Sequence, residues 1–365
     1  MTSDHQDFVT VPSPLVSNNW GILELEAESA APATASEAED DAATNPEDAY
    51  DAGDVNSGYG DSLVSSTKSL TASVIDYVYE NGRRYHRFQA GKYMMPNDET
   101  EQDRLDIYHH FQFLSLRGLL YTAPLKGNPH NILDCGTGTG IWALDMGEMF
   151  PCAQVIGVDL SPIQPTWVFP NVKFEVDDLE LEWTFKEDYF DLIHSRNIAQ
   201  SIRNWPCYLR QMFRSTRPGG YVELAETEAQ LHCDDGTYAG SNLERYMNNF
   251  WKAGTKAGLL APDGNVLRQY AEEAGFVDVE IHYYKQPWGA WPKNAEMKKI
   301  GETCALAIGK GGFEAYAMAL FTRYLDMSAE DVVALCRLAQ ADVGGKRVHT
   351  YQIMWHVTGM KPEDD

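Results

Sequence analysis

Between residues 131 and 225 the chain alternates short apolar runs with stretches of helical periodicity. Residues 131–134, 154–159, 172–176, 190–194 and 221–225 read as strands, with helices over 141–150 and 204–216 between them. Strands that alternate with helices predict βαβ crossovers and a parallel sheet covered on both faces, a doubly wound α/β architecture. Beyond Glu226, helices at 243–256 and 266–274 precede a strand at 277–284. Two more helical stretches, 295–325 and 329–341, then lead to a last, edge-proximal strand over 348–357, seven strands in all. The helices between the last two strands are too long for a plain connection and predict a helical cap over one end of the sheet. Upstream, Asp98-Glu-Thr-Glu101 resembles a capping box. Leu105, Tyr108, Phe111, Leu116 and Leu119 follow near helical spacing, giving an N-terminal helix of about five turns.

Composition separates the N-terminus from this pattern. Residues 1–70 combine Ala, Ser, Pro, Gly, Asp and Glu with little apolar periodicity, and cannot bury enough surface to offset the entropy of ordering. A disordered acidic tail is expected. Of the 54 acids that face 29 bases, for a net charge of −25, 14 lie in residues 1–67, which hold no Lys or Arg. The remaining chain, with 40 acids against 29 bases, stands at −11. Such a balance excludes direct nucleic-acid binding, which draws its affinity from neutralising phosphates. No window of about 18 apolar residues predicts a membrane span, and the N-terminus has acids where a signal peptide carries bases. A soluble cytoplasmic protein is expected. Six cysteines without a C-x-x-C pair predict free thiols and no bound metal.

The strongest chemical signal is a strand that ends in Asp134, followed by Gly136, Gly138 and Gly140 and a helix. Glycines at alternate positions let the backbone turn sharply and approach a ligand, and the helix N-terminus offers free N–H groups. Asp159 ends the next strand, where a carboxylate can accept hydrogen bonds from ribose hydroxyls. Asp177-Asp178 closes the third strand, where a carboxylate or a backbone group can meet an adenine amine. Acids at three strand ends line one crevice. NAD and S-adenosylmethionine both match this outline. The dinucleotide fingerprint is G-x-G-x-x-G, whereas the spacing here is G-x-G-x-G with Asp134 two residues ahead. That carboxylate repels a pyrophosphate and attracts an ammonium, which favours S-adenosylmethionine.

Asp134-Cys-Gly-Thr-Gly-Thr-Gly-Ile-Trp142, Gly157-Val-Asp-Leu-Ser-Pro-Ile-Gln164, Phe190-Asp-Leu-Ile-His194 and Arg217-Pro-Gly-Gly-Tyr-Val-Glu223 resemble the class I S-adenosylmethionine-dependent methyltransferases. Gly91-Lys-Tyr-Met-Met-Pro-Asn-Asp-Glu-Thr-Glu-Gln-Asp-Arg-Leu-Asp106 is similar to the fungal LaeA-like branch, whose members regulate secondary metabolism or act as tailoring enzymes within it. The resemblance, from about Tyr77 to Lys361, implies a Rossmann-like fold. Residues 71–125 would form a helical segment closing over the cofactor, 126–230 the cofactor-binding core, and 231–365 a C-terminal half with the cap and the last two strands. It also implies that Asp134, Gly136, Thr137 and Gly138 bind the methionine half, with Asp159 on the ribose and Leu160 beside the adenine. Asp178 and Leu179 match the adenine-contacting pair, with Asp177 one position out. Ser195 would face the methionine portion, and Tyr93 and Arg104 would close over the cofactor or serve structure alone.

Methyl transfer needs alignment and exclusion of water, and a general base only where the acceptor is protonated at neutral pH. His194, at the end of the fourth strand, is the candidate base by position, and His232 is second. A histidine there also serves as a hydrogen-bonded wall residue. Glu223 and Glu226 are further candidates for the acceptor pocket. In the cap, Met297, Phe313, Tyr316, Met318, Phe321 and Tyr324 form a face that either encloses an apolar acceptor or only packs on the sheet. Two functions stay open: a small-molecule methyltransferase of fungal secondary metabolism, and a nuclear regulator with protein partners. The absence of a Lys/Arg cluster for import or DNA binding leans toward the enzyme.

Overall fold

The computed structural model describes residues 77–86, 94–259 and 261–363. The expected tail (1–70) and Tyr93 lie outside the described residues. The segment expected to be helical opens instead as an antiparallel hairpin of β1 (Tyr77–Glu80) and β2 (Arg83–His86). Its turn is Asn81-Gly82, with φ of 49° and 77°. Two consecutive positive φ values are what a two-residue type I′ hairpin turn demands, and Asn-Gly meets that demand with least strain. Helical periodicity does not register a signal two residues long.

Helix α1 (Glu99–Ser115) begins where the capping pattern places it, with the Asp98 side chain accepting from the Glu101 amide at 3.1 Å. The reciprocal half of the box does not form. Glu101 grips Arg104 at 2.7 and 2.9 Å, because both side chains are buried and each leaves the other uncompensated if unpaired. Asp98 also receives the Arg83 guanidinium at 2.6 and 3.0 Å, which ties the hairpin to the start of the helix.

The chain continues through β3 (Asn131–Cys135), α2 (Ile141–Met149), β4 (Gln154–Asp159), β5 (Val172–Val176), β6 (Phe190–Arg196), α3 (Trp205–Ser215) and β7 (Thr216–Thr227). After α4 (Asn242–Ala257) and α5 (Gly264–Ala274) come β8 (Val277–Trp288), α6 (Ala295–Ala307), α7 (Phe313–Leu325), α8 (Ala329–Gly344) and β9 (Thr350–Met360). The strands form the seven-stranded, mostly parallel sheet that the sequence predicts, in the order β5-β4-β3-β6-β7-β9-β8. Only β9 runs antiparallel to its neighbours. β3 has β4 on one side and β6 on the other, so the connections on its two sides diverge. That switch point opens a crevice at the carboxyl ends of β3 and β6.

Strand alternation sends Leu133, Ile193, Val222 and Leu224 into one core with α3 and α5, while Ile132, Leu192 and Tyr221 pack on the other face with Trp142 and Met146 of α2. The cap has its own core, including Leu243, Tyr246, Phe313, Phe321 and Leu335. The single helix expected over 295–325 is two. Residues 308–312 form a wide turn in which Gly311 adopts φ 88°, a left-handed value that suits glycine, and the direction changes there. All six cysteines are free thiols.

Replacing Asp98 with Ala removes an N-cap and the anchor of Arg83 together. Stability should fall by about 1–2 kcal/mol, read as a lower urea midpoint at unchanged slope. An unaltered midpoint would mean that neither contact holds the hairpin to α1.

Candidate active site

Asp134, next to last in β3, has only 3% of its surface exposed. Its Oδ2 accepts from the Thr137 hydroxyl at 2.6 Å, and its Oδ1 lies 2.8 Å from His194 Nδ1. The imidazole stacks flat on Trp142, with centroids 3.8 Å apart and planes within 7°. Trp142 is fixed in turn by its indole N–H, which donates to the Leu120 carbonyl at 2.8 Å.

The glycine turn follows. Gly136 has φ 73°, and a Cβ there would sit 2.9 Å from Ile198 Cδ1; at Gly140, with φ 83°, it would meet the Phe174 ring at 2.3 Å. Only glycine allows this path. The turn is held from three sides: the Gly138 amide donates to Asp159 Oδ2 at 2.9 Å, Gln164 donates to the Gly138 carbonyl at 2.6 Å, and Thr139 donates to Asp106 of α1 at 2.7 Å. Burial pushes the Asp159 carboxyl up to about 6, against the pull of the Ser161 and Gly138 amides.

Asp134, Gly136, Thr137, Gly138, Asp159 and His194 all line one cleft with about 230 Å³ of internal space. A smaller cavity adjoins it, bounded by Leu160, Asp177, Asp178, Leu179, Ile198 and Ile202, and shares Gly136, Asp159 and Asn197 with the cleft. The same cleft is walled by cap and neighbouring residues, the aromatic Tyr246, Phe250, Trp288, Phe313 and Tyr316 together with Met247, Cys304 and Ile308, which form its acceptor-side chamber. Of the expected cap face, Phe313 and Tyr316 reach this chamber. Met297 packs with Phe111 and Met354, and Met318 and Phe321 fill the cap's own core with Tyr324 at its margin. Arg104 lines the wall, its guanidinium 5.2 Å from the Tyr316 ring centre.

Ser195 does not join the site through its side chain. The strand period of two that turns His194 to the cleft turns Ser195 to the opposite face, where it accepts from the Tyr208 hydroxyl at 3.0 Å. Glu223 also lies outside the cleft lining, fully buried and accepting from the Thr122 and Ala123 amides at 2.7 and 2.8 Å. Burial raises its carboxyl, but His356, His194 and the Thr122 amide outweigh that and hold it below the usual range. Glu226 does line the cleft. It accepts from the Ile198 amide at 2.8 Å, and burial pushes it up to about 8.

Four contributors, from two places in the chain, escape a reading of the sequence. Asn197, one residue past β6, has φ 52° and lines both cavities; Thr227 donates to its Oδ1 at 3.0 Å, while its buried Nδ2 has no partner among the described residues. Tyr246, Met247 and Phe250 come from α4, outside the segment expected to form the cap. Glycine spacing marks the turn but not the residues that face it from other elements.

The profile of a family described as "Methyltransferase domain" matches residues 108–281. "Methyltransferase pytC" from Aspergillus terreus is 42% identical over 273 residues, covering 74% of this chain and 84% of the relative. "Secondary metabolism regulator LAE1" from Cochliobolus heterostrophus is 36% identical, covering 78% of this chain and 94% of the relative. The chain belongs to the fungal LaeA-like methyltransferases. "Protein-methionine methyltransferase laeA" from Emericella nidulans, 33% identical over 78% of this chain and 76% of its own length, is another member.

As in the rest of the family, the cofactor of this methyltransferase is S-adenosylmethionine, and the described residues fit it. The glycine turn packs too closely on Ile198 to admit a Cβ at Gly136, the strand-end carboxylates Asp134 and Asp159 line the cleft, and the smaller cavity with Leu160 and Leu179 in its wall adjoins them.

Glu226 binds a proton in the folded methyltransferase between its ordinary value near 4.5 and about 8, a window in which the unfolded chain has released it. Stability attributable to Glu226 is therefore lost as pH rises through that window. The wild type should fall behind Glu226→Gln in melting temperature from pH 5 to pH 8. A parallel pair of curves would contradict the assignment.

Proposed function

We propose that this methyltransferase acts on a small apolar acceptor within fungal secondary metabolism, in the cytoplasm. The observation that carries this reading is the aromatic chamber continuous with the cofactor cleft. Burying an apolar acceptor against five aromatic rings supplies binding energy and removes water from the reacting groups. Among the described residues no helix is long and apolar enough to cross a membrane.

In this reading Asp134 takes the ammonium of the methionine half, and the turn at Gly136, Thr137 and Gly138, whose amides are engaged by Val158 and Asp159, offers backbone carbonyls beside it. Asp159 takes the ribose hydroxyls. The adenine lies between Leu160 and Leu179, with Asp177 and Asp178 at its edge and the Asn197 amide available as a donor. His194 keeps Asp134 in place rather than acting as a base, since its Nδ1 is engaged and its ring is covered by Trp142. S-adenosylmethionine, when bound, supplies a methyl group already activated by a sulfonium. The chain's own residues then orient the acceptor and exclude water.

The names of relatives described as secondary metabolism regulators and as a protein-methionine methyltransferase favour a second reading, a regulator that acts on another protein, for which we would expect a nuclear location. In that case the acceptor side chain would be presented to the chamber by another protein.

Calorimetry with S-adenosylhomocysteine should give micromolar binding that Asp134→Ala or Asp159→Ala abolishes, and NAD should not bind. Binding of NAD alone would overturn the cofactor assignment. In a knockout strain, untargeted comparison with the parent should reveal metabolites lighter by one methyl. A knockout with no such metabolite, together with recovery of transcription regulators in nuclear pull-downs, would favour the second reading.

A further inference from the structure

Five acids and histidines line the cleft, Asp134, Asp159, His194, Glu226 and Glu228; with Asp134 and Asp159 given to the cofactor, three remain as candidates to take a proton from an acceptor. Two of them lack an outlet. His194 is 2% exposed, pinned between Asp134 and Trp142. Glu226 is 2% exposed, with the Ile198 amide on its carboxylate. Glu228 differs. Glu228 lines the cleft, and its carboxylate meets Nε2 of His232, whose side chain is 35% exposed against 16% for Glu228. His232 itself is not part of the cleft wall. Its ring lies on Tyr351, with centroids 5.4 Å apart, and an isolated bridge of β type joins the two backbones. The pair thus runs from the cleft to solvent.

We infer that Glu228 and His232 form the proton exit of the acceptor chamber, and that the acceptor is a hydroxyl or an amine on an apolar body. This rests on the small-molecule reading above. When the acceptor oxygen or nitrogen gains its bond to the methyl carbon, the electron pair of the broken carbon–sulfur bond stays on sulfur and the acceptor must lose a proton. Glu228 takes that proton. His232 holds the other carboxylate oxygen through its Nε2–H and, as an imidazolium, releases its Nδ1 proton to water as Glu228 becomes neutral. A thioether acceptor loses no proton on methylation and has no use for such an exit. The other titratable or charged groups around the pair are Glu226 on the same stretch, Tyr351 with Asp234 on its hydroxyl at 3.0 Å, Lys285 with its ammonium 4.5 Å from the Tyr351 ring centre, and Cys233.

The test uses the full-length protein without cofactor and para-nitrophenol, an aromatic hydroxyl whose ionised form absorbs visible light. Beside the Glu228 carboxylate the bound probe keeps its proton, so its ionisation midpoint should rise on binding. Glu228→Gln should lower the bound midpoint by about one unit relative to wild type. His232→Gln leaves the carboxylate uncompensated and should raise it. Opposite shifts distinguish a proton-handling pair from a structural contact, and the second variant keeps the proposal testable if the first fails to fold. Equal midpoints in wild type and either folded variant would overturn the proton exit while leaving the apolar chamber standing. Failure of the wild type to bind the probe would overturn the chamber reading itself.

Discussion

Asp134 is a carboxylate almost withdrawn from water near the end of β3, and a group so placed is tolerated only when its oxygens are satisfied. Thr137 satisfies one and His194 the other. Each partner constrains something further. Thr137 can reach back only because Gly136 turns left-handed, and that turn packs directly on Ile198, so no larger residue fits. His194 can reach across only because β3 and β6 pair in the register that sets Asp134 beside it. The indole of Trp142 then covers the imidazole from α2, and its tether to Leu120 fixes the segment between α1 and β3.

From this point the cleft divides in two. Toward β4 and β5 the walls are strand ends, and their acids and leucines suit a nucleoside. Toward β7 and the cap the walls are aromatic rings from two helices, α4 and α7, and from β8, drawn from parts of the chain more than 100 residues downstream of Asp134. Met95, Arg104, Leu105 and Tyr108 of the N-terminal segment line the cleft as well. Arg83 and Asp98 tie the hairpin to α1, and Arg323 of the cap pairs with Glu80 of the hairpin. Thr139 joins α1 to the glycine turn. Both halves of the cleft therefore share one frame, which suits a reaction that depends on alignment.

What the sequence could say followed the range of its signals. Period-two runs and strand-ending acids located Asp134, Asp159 and Asp178, because a parallel sheet brings its carboxyl ends to one edge whatever the loops do. The same period, applied one residue further, turns Ser195 away once His194 faces the cleft. Asn81-Gly82 carried a hairpin signal that helical spacing could not weigh. Glu228 and His232 were harder. Their meaning lies in one carboxylate lining a cavity and one ring outside it, and a cavity between a sheet and a cap assembled from distant helices has no local sequence pattern. Asn197 is hidden for the same reason: asparagine tolerates a left-handed backbone, but no local pattern says that this one adopts it between the two cavities.

The most direct measurement is a crystal structure of the protein with S-adenosylhomocysteine. The amine of the methionine half should lie within hydrogen-bond distance of Asp134, and the adenine should occupy the smaller cavity with Leu160 and Leu179 in its wall, leaving the aromatic chamber free. An adenine seated in the aromatic chamber, or an amine remote from Asp134, would contradict the central role given to that buried carboxylate.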